Sequence, residues 1–201
     1  MRRNIIDIVD AMYWKIRWKK QTSEMKEVGE NCKAGKGFSV IGAANISIGN
    51  NFSASKNLAL QTWEEYRGEK TGKKPELIIG NSVSIMNGCQ ISCMSKIEIG
   101  DGTLLGDNVF ITDNFHGESK KTEKKIPPIE KKLYSKGNVY IGKNIWIGRN
   151  VCIMPGVTIG DGAIIGANAV VTKNIPVGAV AAGVPAIVID RTAMQDQEEF
   201  K

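Results

Sequence analysis

The sequence is poor in the residues that metal centres and disulfide frameworks need. It contains one histidine, His116, so a single chain cannot supply a multi-histidine metal site. The four cysteines include no Cys-x-x-Cys pair, which is typical of free thiols in a reducing cytosol. They are Cys32, Cys89, Cys93 and Cys152. We therefore expect a cytoplasmic protein that requires no metal.

Long hydrophobic runs and nucleotide-binding motifs are also missing. No apolar run reaches the roughly 18 residues of a membrane-spanning helix. Charges interrupt the first twenty residues, which excludes a signal peptide. Neither a GxxxxGK[ST] loop nor zinc-finger spacing occurs, so the formal net charge of +6 is the only feature that suggests nucleic acid. We expect a different anionic partner.

What the sequence does contain is a repeat with a period of six residues. A helix repeats every 3.6 residues and a half-buried strand every two, so neither produces this interval. The longest series is Ile141, Ile147, Ile153, Ile159, Ile165 and Val171. An earlier series is Ile79, Ile85, Ile91 and Ile97, which restarts after a two-residue slip at Ile99, Leu105 and Ile111; fragments precede it at Ile41 and Ile48.

This period predicts a coil of short strands in which three hexads complete one triangular turn. The aliphatic residue that begins each hexad points inward and stacks on its counterpart one coil away, about 4.8 Å along the axis. Glycine or asparagine at the corners accepts a positive φ. We expect this at Gly80-Asn81, Gly100-Asp101 and Gly160-Asp161. The alternative is a β-sandwich that is rich in Ile-Gly.

Three segments depart from the period. Residues 4–20 predict an amphipathic helix with a basic end, whose apolar stripe is Ile5, Ile8, Val9, Met12, Tyr13 and Ile16. Residues 61–76 and 112–138 are charged insertions, and the second contains a lysine-rich stretch at 119–136. We expect a helical segment over 1–30, the coil over 31–190 and a tail over 191–201. The helix either packs on the coil or makes weak peripheral contact with an anionic membrane through Trp14, Trp18 and its basic end.

Residues 141–189, which include VVTKNIP and AAGVPA, resemble the closing coils of the hexapeptide-repeat O-acetyltransferases. The resemblance covers about residues 77–189 and extends to the galactoside, maltose, nodulation-factor and polysaccharide-pathway enzymes. It implies an all-β fold, a left-handed parallel β-helix with a short N-terminal α-helix and an extruded loop. Only the resemblance supplies the handedness. It also implies a homotrimer with sites shared between subunits.

The resemblance assigns a catalytic base. His116, in ITDNFHG, matches a histidine that deprotonates an acceptor hydroxyl as the oxygen attacks the thioester of acetyl-CoA, a role that an imidazole fits near neutral pH. A solvated loop histidine is the alternative. Asn114 replaces another histidine of the family motif. Asp113 either orients the loop or forms a turn, and Asn87 either binds the acceptor hydroxyl or thioester oxygen or is a corner residue.

The resemblance also implies a site for acetyl-CoA in a groove between neighbouring coils. Lys173 would lie near the phosphates of the cofactor, and Trp146 either shapes the groove or packs in the core. Arg149 stands where some relatives have serine. Gly183 and Pro185 fix the chain as it leaves the coil. The implied cofactor-binding residues are Trp146, Arg149, Ala167, Thr172, Lys173, Gly183 and Pro185.

The expected function is transfer of an acetyl group from acetyl-CoA to a sugar hydroxyl, in surface-polysaccharide or other saccharide modification. Transfer to a sugar amine and a non-catalytic assembly module remain alternatives. Hydration by a zinc β-helix enzyme would need three histidines at a shared site. The stretch 119–136 either covers the active-site mouth or meets an anionic sugar acceptor.

Overall fold

The computed structural model describes residues 5–118 and 124–190. Helix α1, Ile5–Thr22, is followed by a coil of short parallel strands. The predicted tail at 191–201 and the beginning of the lysine-rich stretch lie outside the described residues. The coil already begins at Glu27, because the first strand pairs with the second coil, so the expected boundary at residue 30 falls inside the first coil.

The described coil has three faces, each a sheet of strands that are stacked one per coil. Face A contains β1 (Glu27–Val28), β4 (Ile46–Ile48), β9 (Glu76–Ile79), β12 (Lys96–Ile99), β17 (Val139–Ile141) and β20 (Thr158–Ile159). Face B contains β2 (Lys33–Ala34), β5 (Ser53–Ala54), β10 (Ser84–Ile85), β13 (Leu104–Leu105), β18 (Trp146–Ile147), β21 (Ile164–Ile165), β23 (Val180–Ala182) and the antiparallel β24 (Ile187–Asp190). Face C contains β3 (Ser39–Ile41), β6 (Ala59–Thr62), β11 (Gln90–Cys93), β14 (Phe110–Thr112), β19 (Cys152–Ile153) and β22 (Val170–Val171).

The strand register confirms that the six-residue repeat forms the core. On face B, for example, Ile85 pairs with Leu105, which pairs with Ile147, and Ile147 pairs with Ile165. These side chains are buried, and faces A and C contain equivalent stacks. Ile41 is an exception, because the inward position of β3 is Val40, which pairs with Leu60, and Ile41 is 45% exposed.

The two-residue slip also has a structural cause. Ile97 pairs with Leu77, whereas Ile99 pairs with Ile79, so β12 carries two inward residues. Both β11 and β12 have four residues, and only Met94 and Ser95 separate them. The slip therefore marks longer strands on either side of this corner and does not break the stack.

The predicted positions of positive φ are wrong by one or two residues. The left-handed residues at these corners are Ser82, Gly102 and Gly162, with φ of 55°, 69° and 67°. The glycines that precede them are needed for another reason, because the backbone of the next coil passes close to them. A Cβ atom on Gly80 would lie 2.6 Å from the Asp101 Oδ1 atom and 2.8 Å from the Asp101 backbone nitrogen.

Helix α1 covers the N-terminal end of the coil through a face that the predicted stripe does not include. The indole of Trp18 lies 4.9 Å from the ring of Phe38 and 6.3 Å from that of Phe52, measured between centroids. Lys36 and Asp10 form an ion pair of 3.0 Å. The described part of the predicted stripe is exposed to solvent. Among the described helices, none has the length and apolar character needed to cross a bilayer.

Two excursions leave the coil at the same corner, where face C ends and face A begins. The first, residues 63–75, contains the hairpin of β7 (Glu65–Tyr66) and β8 (Glu69–Lys70). The second, residues 113–138, contains β15 (Phe115–His116) and β16 (Leu133–Tyr134), which pair in antiparallel fashion. Short 3-10 helices occur at Ala43–Asn45 and Pro128–Glu130. The excursions begin one or two residues later than the sequence predicts.

Candidate active site

His116 lies on the strand ribbon of the second excursion. It pairs with Leu133 across β15 and β16, which fixes its backbone, while its side chain is exposed. The His116 Nδ1 atom lies 3.5 Å from the hydroxyl of Tyr66, and the two rings meet edge to face with centroids 5.5 Å apart. When Nδ1 carries the ring proton and donates it to Tyr66, the Nε2 atom keeps a free lone pair.

Tyr66 is in turn held against the coil by an aromatic neighbour. The Trp63 ring lies 5.8 Å from the Tyr66 ring in an edge-to-face arrangement. The Trp63 indole N–H donates to the Ser92 hydroxyl at 3.0 Å. Since Ser92 belongs to β11, these contacts connect His116 to the coil through the first excursion. Sequence reasoning assigned no role to Tyr66, although the pair of aromatic residues within a charged insertion is a pattern that could have indicated one.

Asn114 and Asp113 fasten the beginning of the second excursion. The Asn114 side-chain amide donates to the Ser92 carbonyl at 3.0 Å and to the Ser92 hydroxyl at 3.2 Å. The Asp113 carboxylate is fully buried and accepts backbone N–H bonds from Met94 and Ser95, both at 2.7 Å. The structure thus uses Asp113 to anchor the corner and does not bring its carboxylate to His116.

Asn87 lies at a different corner, between faces B and C. Its side-chain amide donates to the Asp107 Oδ1 atom at 2.8 Å, and its Oδ1 atom accepts the Lys56 backbone N–H at 3.2 Å. The hydrogen bonds from the Asn87 side chain and backbone hold the pKa of the Asp107 carboxyl below its usual value, with a smaller contribution from the charge of Arg149. Within one chain, face C separates Asn87 from His116.

The residues that we expected to bind acetyl-CoA lie at two corners, the corner of Asn87 between faces B and C and the corner of the two excursions between faces C and A. Arg149, Ala167 and Gly183 continue the stack of Asn87 on later coils and are exposed, and Pro185 follows Gly183. Trp146 lies on face B beside this corner and is 55% exposed, so it does not pack in the core. Thr172 and Lys173 are exposed and follow β22, at the corner from which the excursion of His116 also leaves.

A cavity of about 230 Å³ lies between the two excursions, beside His116. Tyr66 and Leu133, which both neighbour His116, form part of its wall. Lys132 and Glu69 form an ion pair of 2.9 Å across the two excursions. The complete lining is Tyr66, Arg67, Glu69, Lys70, Thr71, Glu130, Lys131, Lys132 and Leu133. Within residues 5–118 and 124–190, no group of three His, Cys, Asp or Glu side chains is arranged to hold a metal ion.

The buried cysteines are poor nucleophiles. Burial raises the pKa of the Cys89 thiol to about 11, and burial together with the Asp113 charge raises that of Cys93 further. A thiolate is the reactive form, so both thiols are inert at neutral pH. We expect a thiol reagent to modify Cys32 and Cys152, which are partly exposed, and to reach Cys89 and Cys93 only after denaturation. Peptide mass spectrometry of native and denatured protein checks this, and labelling of native Cys93 would contradict it.

Comparisons with known proteins agree with this architecture. The family model described as bacterial transferase hexapeptide (six repeats) matches residues 138–173. The structure of a galactoside acetyltransferase in complex with coenzyme A is 31% identical, with a TM-score of 0.56, over 91% of this chain and 73% of that one. The chain belongs to the hexapeptide-repeat acetyltransferase family. Its fold is the left-handed parallel β-helix that the sequence resemblance implied.

Other members of this fold are more distant in sequence. AntD, an N-acyltransferase from Bacillus cereus crystallised with dTDP-4-amino-4,6-dideoxyglucose and coenzyme A, is 23% identical over 92% of this chain and 95% of that one, with a TM-score of 0.69. The acetyltransferase VCA0836 from Vibrio cholerae O1 biovar eltor, complexed with acetyl coenzyme A, is 20% identical over 88% of this chain and 76% of that one, with a TM-score of 0.57. No curated protein matches the chain significantly.

Proposed function

We propose that this member of the hexapeptide-repeat family transfers an acetyl group from acetyl-CoA to a hydroxyl of a saccharide. The observation that carries the proposal is the placement of His116, exposed on a paired ribbon with its Nδ1 atom at the Tyr66 hydroxyl. Family membership supports the acyl donor, since the galactoside acetyltransferase was crystallised with coenzyme A.

In this mechanism, His116 is the general base. Its Nδ1–H donates to Tyr66, so Nε2 takes the proton of the acceptor hydroxyl as that oxygen attacks the thioester carbonyl. The tetrahedral intermediate collapses by breaking the C–S bond. The coenzyme A thiolate leaves and receives the proton from the imidazolium. The products are the acetyl ester and free coenzyme A, and no covalent acyl-enzyme forms.

We place acetyl-CoA along the corner of Arg149, Ala167 and Gly183, with the Trp146 indole at the side of the groove. Face C separates this corner from His116 of the same chain, so the proposed site combines one corner of each of two neighbouring chains. A homotrimer packed about a threefold axis supplies this arrangement three times. Lys173, at the corner of His116, then offers a positive charge to the cofactor phosphates.

The acceptor is proposed to enter the cavity between the excursions. Arg67, Lys70, Lys131 and Lys132 line it together with two carboxylates, those of Glu69 and Glu130. This surplus of positive charge suits an acceptor that carries phosphate, such as a nucleotide-linked or lipid-linked saccharide of a surface-polysaccharide pathway. Aromatic Tyr66 offers a flat surface for a sugar ring.

Transfer to an amine is the second candidate, favoured by the overall likeness to AntD, an N-acyltransferase that was crystallised with an amino-sugar nucleotide. The same base would accept the proton of an attacking amine. A non-catalytic assembly module would leave His116 without a role.

A thiol-release assay with acetyl-CoA tests these alternatives. We expect turnover with sugars or nucleotide sugars that have free hydroxyls, and mass spectrometry of the product should show an added acetyl ester that mild base removes. Amino sugars should be tested in parallel, as the matched acceptors that offer an amine in place of a hydroxyl. Turnover with amines alone would replace O-transfer by N-transfer, and failure to bind acetyl-CoA would support the assembly module.

A further inference from the structure

Helix α1 presents two opposite faces to different surroundings. One face is fixed to the coil by Trp18 and by the ion pair of Asp10 with Lys36. The other points away from the coil and carries an apolar stripe at helical spacing, formed by Ile8, Val9, Met12, Tyr13 and Ile16. Val9, Met12 and Ile16 are 60–63% exposed. Because the first face is anchored, the helix cannot turn this stripe toward the core.

Cationic side chains border the stripe on both sides. At 100° per residue, Lys15 and Arg17 lie on opposite margins of the stripe, and Lys19 and Lys20 lie at its C-terminal end, after Ile16. All four are exposed. An apolar stripe with Lys and Arg at its margins and at its end is typical of a helix that lies in the plane of a membrane interface.

A second basic surface continues from the same helix onto the coil. A groove of about 730 Å³ runs between α1 and the first coils. Its lining includes the indoles of Trp14 and Trp18, the lysines Lys15, Lys19, Lys33, Lys36 and Lys56, and one carboxylate, Asp10, which Lys36 already pairs. The groove therefore leaves several ammonium groups open to an anionic partner beside the apolar stripe.

We propose that α1 and this groove form a docking surface for an anionic phospholipid membrane. The stripe enters the boundary between headgroups and acyl chains, while the lysines contact lipid phosphates. A second copy of the chain fits less well, because two copies meeting along this stripe would bring the cations around it together. This inference is independent of the proposed transfer reaction.

Co-sedimentation with vesicles tests the proposal. We expect the full-length protein to bind vesicles of phosphatidylcholine mixed with phosphatidylserine, to bind pure phosphatidylcholine much less, and to be released as salt rises. The variant Val9→Ser/Met12→Ser/Ile16→Ser should lose most of the binding. Lys15→Gln/Lys19→Gln should weaken it by about 25-fold, since each lysine near the surface contributes roughly fivefold.

The matched control is Lys73→Gln/Lys74→Gln, which removes the same charge from the exposed first excursion and should bind like the unaltered protein. Circular dichroism should show that every variant is folded. The proposal is overturned if the unaltered protein ignores both kinds of vesicle, or if the control variant loses as much binding as Lys15→Gln/Lys19→Gln. It is also overturned if the serine variant changes only the mass of the particle in light scattering, which would make α1 an interface between copies.

Discussion

Replacing His116 with alanine is expected to lower kcat by about 10²- to 10⁴-fold, the contribution of a positioned general base. Acetyl-CoA binding should change little, because in the proposed mechanism His116 acts on the acceptor hydroxyl, whereas the cofactor is held by other residues, among them Arg149 and Ala167. Steady-state thiol release measures the first quantity, and calorimetry with coenzyme A measures the second. His116 is exposed on a surface ribbon, so its removal leaves no cavity in the core.

Tyr66→Phe is a milder change at the same contact, since it removes only the hydroxyl that contacts the Nδ1 atom of His116. It should reduce kcat by less than His116→Ala and should alter the pH dependence of kcat, while KM for acetyl-CoA stays the same. Full activity of His116→Ala would remove histidine from the mechanism. Equal loss of turnover and coenzyme A binding would show a structural role instead.

Ile147→Ala should produce a large loss of stability. Ile147 is fully buried and lies between Leu105 and Ile165 in the stack of face B. The missing methyl groups leave a cavity that coils above and below cannot fill, which costs about 2–5 kcal/mol of unfolding free energy.

Equilibrium urea denaturation followed by circular dichroism measures this loss. Ile129→Ala is the matched control, because Ile129 lies in the second excursion and is 53% exposed. Its expected effect is within about 0.5 kcal/mol. Similar losses in the two variants would mean that stability does not depend on the inward stack.

The coil could be predicted from the sequence because one physical requirement repeats along the chain. Each face of each coil must bury an aliphatic side chain, so buried positions such as Ile85 and Ile165 recur at the spacing of the repeat and reveal it in the sequence. The backbone conformations at the corners were harder to predict from the sequence. Glycine is needed at Gly80 for close approach of the next coil, and the composition alone does not distinguish this from a left-handed turn at Ser82.

The site was only partly predictable. The motif around His116 identified the candidate base, but the contact with Tyr66 depends on two excursions that meet outside the repeat. The orientation of α1 could not be predicted for a similar reason. The sequence left open whether the helix packs on the coil, and the contact that covers the end of the coil is made by Trp18, whose indole packs on Phe38 and Phe52.

The shared corner from which both excursions leave has a consequence for how such enzymes diversify. A coil of stacked repeats contacts only its neighbours, so its register is insensitive to what is inserted between two repeats. Insertions of new length or composition at residues 63–75 and 113–138 can reshape the proposed acceptor cavity while the inward stack remains unchanged. Substrate preference and scaffold stability are therefore encoded by separate parts of the gene and can evolve separately.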